Sequence, residues 1–412
     1  MSAPAWLQCH LGPKRLGRAF GSESFTRVSG FGLKVAYFVH DLTDPAVTRR
    51  VLMLEAGGAE VVLIGFRRAD AAPASIAGAP VIDLGRTFDS RLGHRARATV
   101  MAALGAHRFR RALAGVDAIL ARSLEMLVVA HAARTLCGAR RRVIYECLDV
   151  HRVMLGDGAK GRVFRWLERS LMRRSQLLIV SSPAFLKFYF RERQGLGARL
   201  STPSLLVENK LLELDGPSSP ARSRKQPRER PWRIGWLGAI RCRRSLDLLT
   251  ALAARRPDLV EVRLHGRPAY SEFSDFDGQV AAAPNLSFGG PYTADDLGRL
   301  YGEIDFSWAI DFMEEGLNSS WLLPNRVYES SRFGVTPIAL KAVETGRFLE
   351  ARGFGVTLNS TSDLEDFLDR LTPDGYAQLA AQQARMPLEA FVAGRQDCRA
   401  LVAALADPAA EK

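Results

Sequence analysis

Arginines follow a glycine-terminated apolar run in the second half of the chain, in the stretch WLGAIRCRRSLDLL at 236–249. The run is typical of a strand that ends at Gly238, where a backbone without a side chain can approach a ligand. Arg241 and Arg244 come next, and a helix is predicted to begin near Ser245. Guanidinium groups and helix N-termini both bind phosphate oxygens. The stretch therefore predicts a diphosphate site, with a solvated arginine cluster as the alternative.

A carboxylate lies in the middle of another predicted helix, in LLPNRVYESSRFGVTPIAL at 322–340. A proline suited to the first turn opens this helix, a glycine can end it, and TPIAL is short enough for a buried strand. Glu329 is therefore either a ligand-binding group near a sheet edge or a surface group. In the second case it would pair with Arg326 or Arg332, three residues away on the same helix.

Several common catalytic signatures are absent from the 412-residue sequence. Neither predicted domain has GxGxxG after its first strand, and no GxxxxGK[ST], HExxH or GxSxG occurs. The five cysteines are scattered and form no CxxC pair, which argues against a zinc site and for a reducing compartment. The absence of these motifs argues against a dinucleotide-dependent enzyme, a metalloenzyme and most kinds of hydrolase. We therefore expect no metal and no tightly bound cofactor.

Short apolar runs alternate with helix-length segments along most of the chain. The run at 34–41 reads as a buried strand, and Asp44 and Pro45 suit the N-cap and first position of the next helix. This alternation predicts an α/β fold with two Rossmann-like doubly wound domains, whose strand ends face a ligand-binding cleft. The predicted division is a disordered extension at 1–33, a first domain at 34–210, a linker at 211–232, a second domain at 233–385 and a C-terminal helical segment at 386–412.

The formal net charge of +13 calls for an anionic partner or a solvated basic face. Arginines crowd three stretches of the first half, at 86–111, 139–142 and 162–174. Basic stretches that read as amphipathic helices favour an anionic membrane surface over an anionic substrate or nucleic acid. Nucleic acid ranks last because aromatic side chains are not interleaved with the arginines as stacking platforms would be. No apolar run approaches the ~18 residues that cross a bilayer.

The sequence resembles glycosyltransferase family 4, whose members are retaining nucleotide-sugar transferases of the GT-B fold. The likeness covers most of 34–385 and is most specific at 304–358, where PNRVYESSRFGVTPIAL resembles the family's glutamate-bearing helix and the strand after it. The resemblance implies that Glu329 binds the donor ribose. It further implies donor-binding roles for Asn318, Thr345 and Gly346 and a sugar-contacting, catalytic role for Glu315.

Two departures from the family pattern concern catalysis. Trp321 stands where the family usually has a second glutamate, eight residues before Glu329, so Glu315 of EEGLNSS is the substitute. In VIYECLDVHR at 143–152, Leu148 replaces the family's histidine, which leaves Asp149 and His151 as the groups that approach the reacting sugar.

The likeness is strongest to transferases of bacterial exopolysaccharide assembly, of the succinoglycan type. It implies transfer of a hexose, with UDP-glucose as the donor, to a polyprenyl-diphosphate-linked saccharide. We expect a cytoplasmic protein that associates with the inner face of the membrane. The alternatives are a nucleotide-sugar epimerase on the same architecture and a non-catalytic membrane-associated scaffold.

Overall fold

The computed structural model describes residues 32–88, 92–138, 141–216 and 229–407. Most of the predicted N-terminal extension therefore lies outside the described residues. Two parallel sheets organise the rest, in agreement with the predicted fold class. Alternate residues of the first strand enter different apolar clusters, Tyr37 one and Phe38 the other, because both faces of the sheet are covered. Near-continuous apolar runs are what such doubly covered strands require.

The first sheet contains eight strands: β1 Lys34–Val39, β2 Glu60–Arg67, β3 Ser75–Ile76, β4 Ala79–Arg86, β5 Ala118–Arg122, β6 Arg142–Cys147, β7 Leu177–Val180 and β8 Ser204–Leu206. Their order is β3–β4–β2–β1–β5–β6–β7–β8, and only β3 runs antiparallel to its neighbour. Its α-helices are α1 Pro45–Ala56, α2 Leu92–Leu104, α3 Leu124–Leu136, α4 Arg152–Leu155 and α5 Ala159–Met172. A π-helix spans Phe185–Arg193.

Helix α1 begins as the sequence predicts. The Asp44 carboxylate accepts a hydrogen bond from the Ala46 amide at 2.8 Å, and Pro45 occupies the first helical position. The fixed φ of proline and the capping carboxylate both favour a helix start at this point. Gly57 follows the last helical residue, which confirms the predicted end.

The second sheet is built from β10 Trp232–Ile240, β11 Val260–Pro268, β12 Leu286–Phe288, β13 Phe306–Trp308, β14 Thr336–Leu340 and β15 Val356–Leu358, in the order β12–β11–β10–β13–β14–β15. A separate short pair joins β9 Leu211–Leu212 to β16 Val392–Ala393. The α-helices are α6 Arg243–Arg255, α7 Phe276–Ala282, α8 Leu297–Gly302, α9 Asn318–Trp321, α10 Asn325–Arg332, α11 Glu344–Arg352, α12 Asp363–Arg370, α13 Pro373–Ala384 and α14 Arg395–Ala406.

The end of the chain returns to the first sheet. Helix α14 packs on α1, and Cys398 and Leu401 lie in the same apolar cluster as Val47 and Val51. The predicted C-terminal helical segment thus contains a strand, β16, before its helix. Strand β9 lies at the start of the predicted linker, of which residues 217–228 are outside the described part of the chain. The domain boundaries themselves stay a prediction.

Candidate functional site

Asn318 links the two halves of the predicted site. It is buried at the start of α9, and its amide nitrogen donates a hydrogen bond to Asp149, which follows β6 of the first sheet. Its Oδ1 accepts a bond from the Val150 amide at 3.4 Å. Asn318, which is predicted to bind the donor, and Asp149, which is predicted to approach the sugar, are therefore in direct contact.

Arg241 faces the same region from the second sheet. Its Nε and Nη2 lie 3.3 and 3.1 Å from Oδ2 of Asp311. Arg241 follows β10 and Asp311 follows β13, neighbouring parallel strands whose carboxyl ends meet at one edge. Burial lowers the pKa of Arg241, but the Asp311 and Asp149 carboxylates outweigh it and raise that pKa above its ordinary value. The guanidinium is therefore held charged at the edge of the cleft.

Glu315 and Arg244 form an exposed ion pair, with Arg244 Nη1 2.8 Å from Glu315 Oε2. The Arg244 guanidinium also lies over the Phe312 ring, 4.1 Å from its centroid. These two predicted residues are adjacent to each other at the rim of the site, and their roles stay predictions.

The neighbouring Glu314 is the carboxylate that reaches towards the first sheet. Its Oε1 lies 2.8 Å from Nε of Arg152, at the start of α4. Burial raises the pKa of Glu314, and the negative charge of Asp149 adds to the rise. Sequence reasoning missed Glu314 because the order of two adjacent glutamates does not say which of them points inward.

Glu329 lies on α10, as predicted, and its Oε2 accepts a hydrogen bond from the hydroxyl of Tyr301 at 3.0 Å. Burial raises the pKa of Glu329 above its ordinary value, against the lowering effects of the Tyr301 hydrogen bond and of Arg49 and Arg326. The alternative pairing along the helix is wrong. Arg326 donates instead to the Trp308 carbonyl, and Arg332 pairs with Glu213 at 2.7 Å.

Two half-buried arginines that the sequence did not mark as ligand groups act electrostatically on Glu329. Arg326 lies on the same helix. Burial lowers its pKa, the Asp311 carboxylate acts to raise that pKa, and the positive charge of Arg241 lowers it further. Arg49 comes from α1 of the first sheet. Burial, with the repulsion of nearby arginines, lowers the pKa of Arg49 to about 10, and Glu329 acts against this shift. The sequence could have indicated Arg326, because it lies three residues before Glu329 on the same helix. No sequence pattern connects Arg49 with Glu329.

Thr345 and Gly346 lie in the first turn of α11, as predicted. Thr345 Oγ1 donates to the Leu322 carbonyl at 3.1 Å, so the side chain holds the turn against the segment before α10. A Cβ on Gly346 would come 2.1 Å from the Leu340 carbonyl oxygen, and only glycine permits this close approach to β14. The first backbone N–H groups of α11 have no partner within the helix and can bind an anion.

Gly238 lies within β10 with φ at +112°, a conformation that favours glycine. Its carbonyl oxygen would lie 1.7 Å from a Cβ placed on Gly266 of the adjacent β11. Two glycines side by side thus shape the strand end from which Arg241 extends. The predicted role of Gly238, close backbone approach to a ligand, stays a prediction.

His151 caps α4, where its Nδ1 accepts a hydrogen bond from the Val153 amide at 3.2 Å. Burial and the positive charge of Arg95 lower its pKa, so the imidazole is neutral near pH 7. Among the described residues, no group of three or more His, Cys, Asp or Glu side chains could hold a metal ion. In the same part of the chain, no helix is long and apolar enough to span a membrane.

Comparison with known proteins identifies the family. A family model described as a glycosyl transferase 4-like domain matches residues 44–201. The succinoglycan biosynthesis protein ExoL of Rhizobium meliloti strain 1021 is 47% identical over 382 residues, which cover 91% of this chain and 93% of that protein.

The chain belongs to glycosyltransferase family 4. It is therefore a glycosyltransferase, and the family resemblance predicted from the sequence is confirmed. Family membership decides for a transferase over the epimerase and scaffold hypotheses.

Solved structures place the transferase in the GT-B fold. Sucrose-phosphate synthase from Thermosynechococcus elongatus superimposes with a TM-score of 0.67 at 14% identity, covering 90% of this chain and 98% of that one. A glycosyltransferase from Rickettsia africae gives a TM-score of 0.59 at 12% identity, covering 92% and 100%. At such low identity these likenesses concern the fold alone.

Proposed function

We propose that the transferase moves a hexose from a nucleotide diphosphate sugar, with UDP-glucose as the first candidate, to a lipid-linked saccharide in cell-surface polysaccharide assembly. The observation that carries the donor assignment is the position of Arg326, which lies on the helix of Glu329, donates to the Trp308 carbonyl at the end of β13, and acts electrostatically on both Arg241 and Glu329. Guanidinium groups suit the diphosphate, and the carboxylate suits two vicinal ribose hydroxyls. The 47% identity to a succinoglycan biosynthesis protein supports the polysaccharide assignment.

In this mechanism the bond between the sugar C1 and the diphosphate oxygen breaks while the acceptor oxygen bonds to C1. Arg241 and the first N–H groups of α11 stabilise the negative charge that develops on the leaving diphosphate, without a metal. The acceptor proton passes to the leaving diphosphate on the same face of the sugar, so configuration is retained. Asp149, held by Asn318, orients the sugar, and closure of the cleft excludes water.

The donor assignment is tested by thermal unfolding of the wild type and of Glu329→Ala with UDP, GDP, ADP, dTDP and CDP. A nucleotide at 100 times its Kd stabilises the fold by ~2.7 kcal/mol. For a domain of this size that raises the Tm by roughly 5–10 °C. We expect one nucleotide to do so in the wild type and not in Glu329→Ala.

The exposed Glu192→Ala is the matched control, since Glu192 is a glutamate outside the predicted donor-binding residues and its removal should leave the response as in the wild type. Failure of all five nucleotides to raise the wild-type Tm would contradict the donor site.

The proposed acceptor is lipid-linked, and exposed apolar side chains on two helices of the first sheet support docking on a membrane. Helices α2 and α5 both pack on α3. We call their outer face the docking face, and it comprises Val100, Met101 and Leu104 of α2 with Val163 and Trp166 of α5. Leu104 is 68% exposed and Trp166 60% exposed. Arg97 and Arg162 are exposed on the same helices, so the face combines apolar insertion with attraction to anionic lipid at the cytoplasmic leaflet.

Cosedimentation with phosphatidylglycerol-containing vesicles tests the docking face. Transfer of one large apolar side chain into the interface is worth about 1.5 kcal/mol or more, so we expect Leu104→Ser and Trp166→Ser each to weaken binding roughly tenfold. Tyr270→Ser removes an equally exposed aromatic from the second sheet and should change nothing. Equal binding of all three variants would contradict the docking face.

A further inference from the structure

A small cavity lies at the carboxyl edge of the first sheet, apart from the donor-binding residues. Its volume is about 10 Å³, close to the smallest space that holds one water molecule. His40, just after β1, lines it, and the Nδ1 atom of His40 is buried without a hydrogen-bond partner. A buried polar atom without a hydrogen-bond partner is destabilising, so we expect a polar group to enter the cavity and bind it. The remaining lining residues are Phe66, Thr87, Arg95, Thr99 and Glu125.

The charges around this cavity favour a hydroxyl group over an anion. Glu125, in the first turn of α3, accepts a hydrogen bond from Arg95 of α2. Burial raises the pKa of Glu125, but Arg95, a backbone hydrogen bond and His40 together outweigh that effect, so the pKa lies below its ordinary value and the carboxylate is ionised. Glu125 lines the cavity together with His40, and its charge acts on both His40 and His151. An ionised carboxylate repels phosphate and accepts hydrogen bonds from O–H groups.

Both imidazoles are neutral near pH 7. Burial is the main cause of the low pKa of His40, and the groups that act on it are Arg122, Arg68, Glu125 and Asp44. A neutral imidazole has one nitrogen that accepts a hydrogen bond and one that donates. An alcohol hydroxyl can also donate and accept, so the two groups are complementary.

The turn that carries Glu125 is strained. Ser123, between β5 and α3, has φ 79° and ψ 164°, a region in which residues other than glycine are rare. The Ser123 amide donates to the Glu146 carbonyl at 3.2 Å, which holds the turn beside β6. Such strained conformations cluster at active sites and ligand-binding sites.

Helix α2 connects the cavity to the docking face. Arg95 and Thr99 line the cavity from the inner side of the helix, whereas Val100, Met101 and Leu104 lie on its exposed side. A saccharide attached to a lipid at that face would be presented close to His40.

We propose that His40, Glu125 and Arg95 form the subsite that binds a hydroxyl group of the saccharide acceptor. The proposal rests on the transferase function proposed above. His40 accepts or donates a hydrogen bond at the acceptor hydroxyl, and the Arg95–Glu125 pair beside it in the cavity lining orients that imidazole. We name His40 as a binding residue and Arg95 as a positioning residue.

The test observes the imidazole signals of protein labelled with ¹⁵N-histidine during titration with a panel of methyl glycosides. The panel contains the β-glucoside, β-galactoside, α-mannoside, β-glucuronide and N-acetyl-β-glucosaminide, with inorganic phosphate as the anionic probe. We expect a glycoside to shift the His40 signals in a saturable manner and phosphate to leave them unchanged. A shift by phosphate alone, or no shift by any glycoside, would overturn the proposal.

Variants separate this subsite from the donor site. His40→Gln should raise the KM for the octyl glycoside of the same sugar roughly 3–10-fold, the value of one hydrogen bond, while UDP still raises the Tm. Glu125→Gln serves as a second variant should His40→Gln fail to fold. His107→Gln, which changes an exposed histidine, is the control. An unchanged acceptor KM in both variants would refute the subsite, whereas loss of the nucleotide effect in the wild type would refute the donor assignment instead.

Discussion

Acidification should weaken the first domain through one buried histidine. His131 lies in the middle of α3, is only 7% exposed, and its Nε2 lies 3.2 Å from Ser175 Oγ. Burial, followed by the positive charges of Arg134 and Arg174, lowers its pKa from 6.5 to about 4. The unfolded chain therefore binds a proton between pH 6.5 and 4 that the folded chain does not. Stability is fully present above pH 6.5 and declines as the pH falls towards 4.

The magnitude follows from the pKa difference. A shift of one unit corresponds to ~1.4 kcal/mol, so the loss approaches ~3.4 kcal/mol below pH 4 and amounts to ~2 kcal/mol between pH 7 and pH 5. A change of that size lowers the Tm by roughly 4–8 °C. Because other groups also titrate in this range, the relevant quantity is the difference between the wild type and His131→Gln.

The assay is thermal unfolding of both proteins at pH 7 and pH 5. We expect the wild type to lose about 2 kcal/mol more than His131→Gln, since glutamine keeps a hydrogen-bonding group towards Ser175 but has no proton to gain. His107→Gln, at an exposed position, should behave as the wild type. Equal pH dependence in the wild type and His131→Gln would refute the reasoning, because no proton uptake would then be linked to unfolding at this site.

Two further substitutions test the packing that supports the donor site. Gly266→Ala should displace Gly238, whose carbonyl oxygen would lie 1.7 Å from the new Cβ, and weaken nucleotide binding roughly tenfold as measured by isothermal titration; Gly302→Ala, with open space around it, should not. Glu213→Gln should lower the unfolding free energy in urea by about 3 kcal/mol, because it leaves the buried Arg332 guanidinium without its carboxylate. A loss below about 1 kcal/mol would show that Arg332 finds another partner.

Local sequence patterns were sufficient for several elements of this fold, although not for the short strands β9 and β16. The apolar run at 34–41 forms a strand, and Asp44 and Pro45 start a helix at the predicted residue, since neighbours in sequence supply the cap and the fixed φ. The place of Arg241 was predictable for a similar reason. It directly follows a parallel strand, and ligands of open α/β sheets bind at the carboxyl ends of such strands. The family resemblance added the transferase identity, which no residue pattern gave alone.

The sequence by itself determined the fold class, the family and the helix that carries Glu329. Only the tertiary structure decided which side chains share a site: that Glu314 rather than Glu315 reaches the first sheet, that Arg49 lies near Glu329, and that His40 lines a cavity with Glu125. Helix and strand formation depends on interactions a few residues apart, whereas these contacts join segments separated by tens to hundreds of residues. The order of the strands and the packing of the helices determine which of these distant segments meet, and neither can be predicted from the spacing of neighbouring residues.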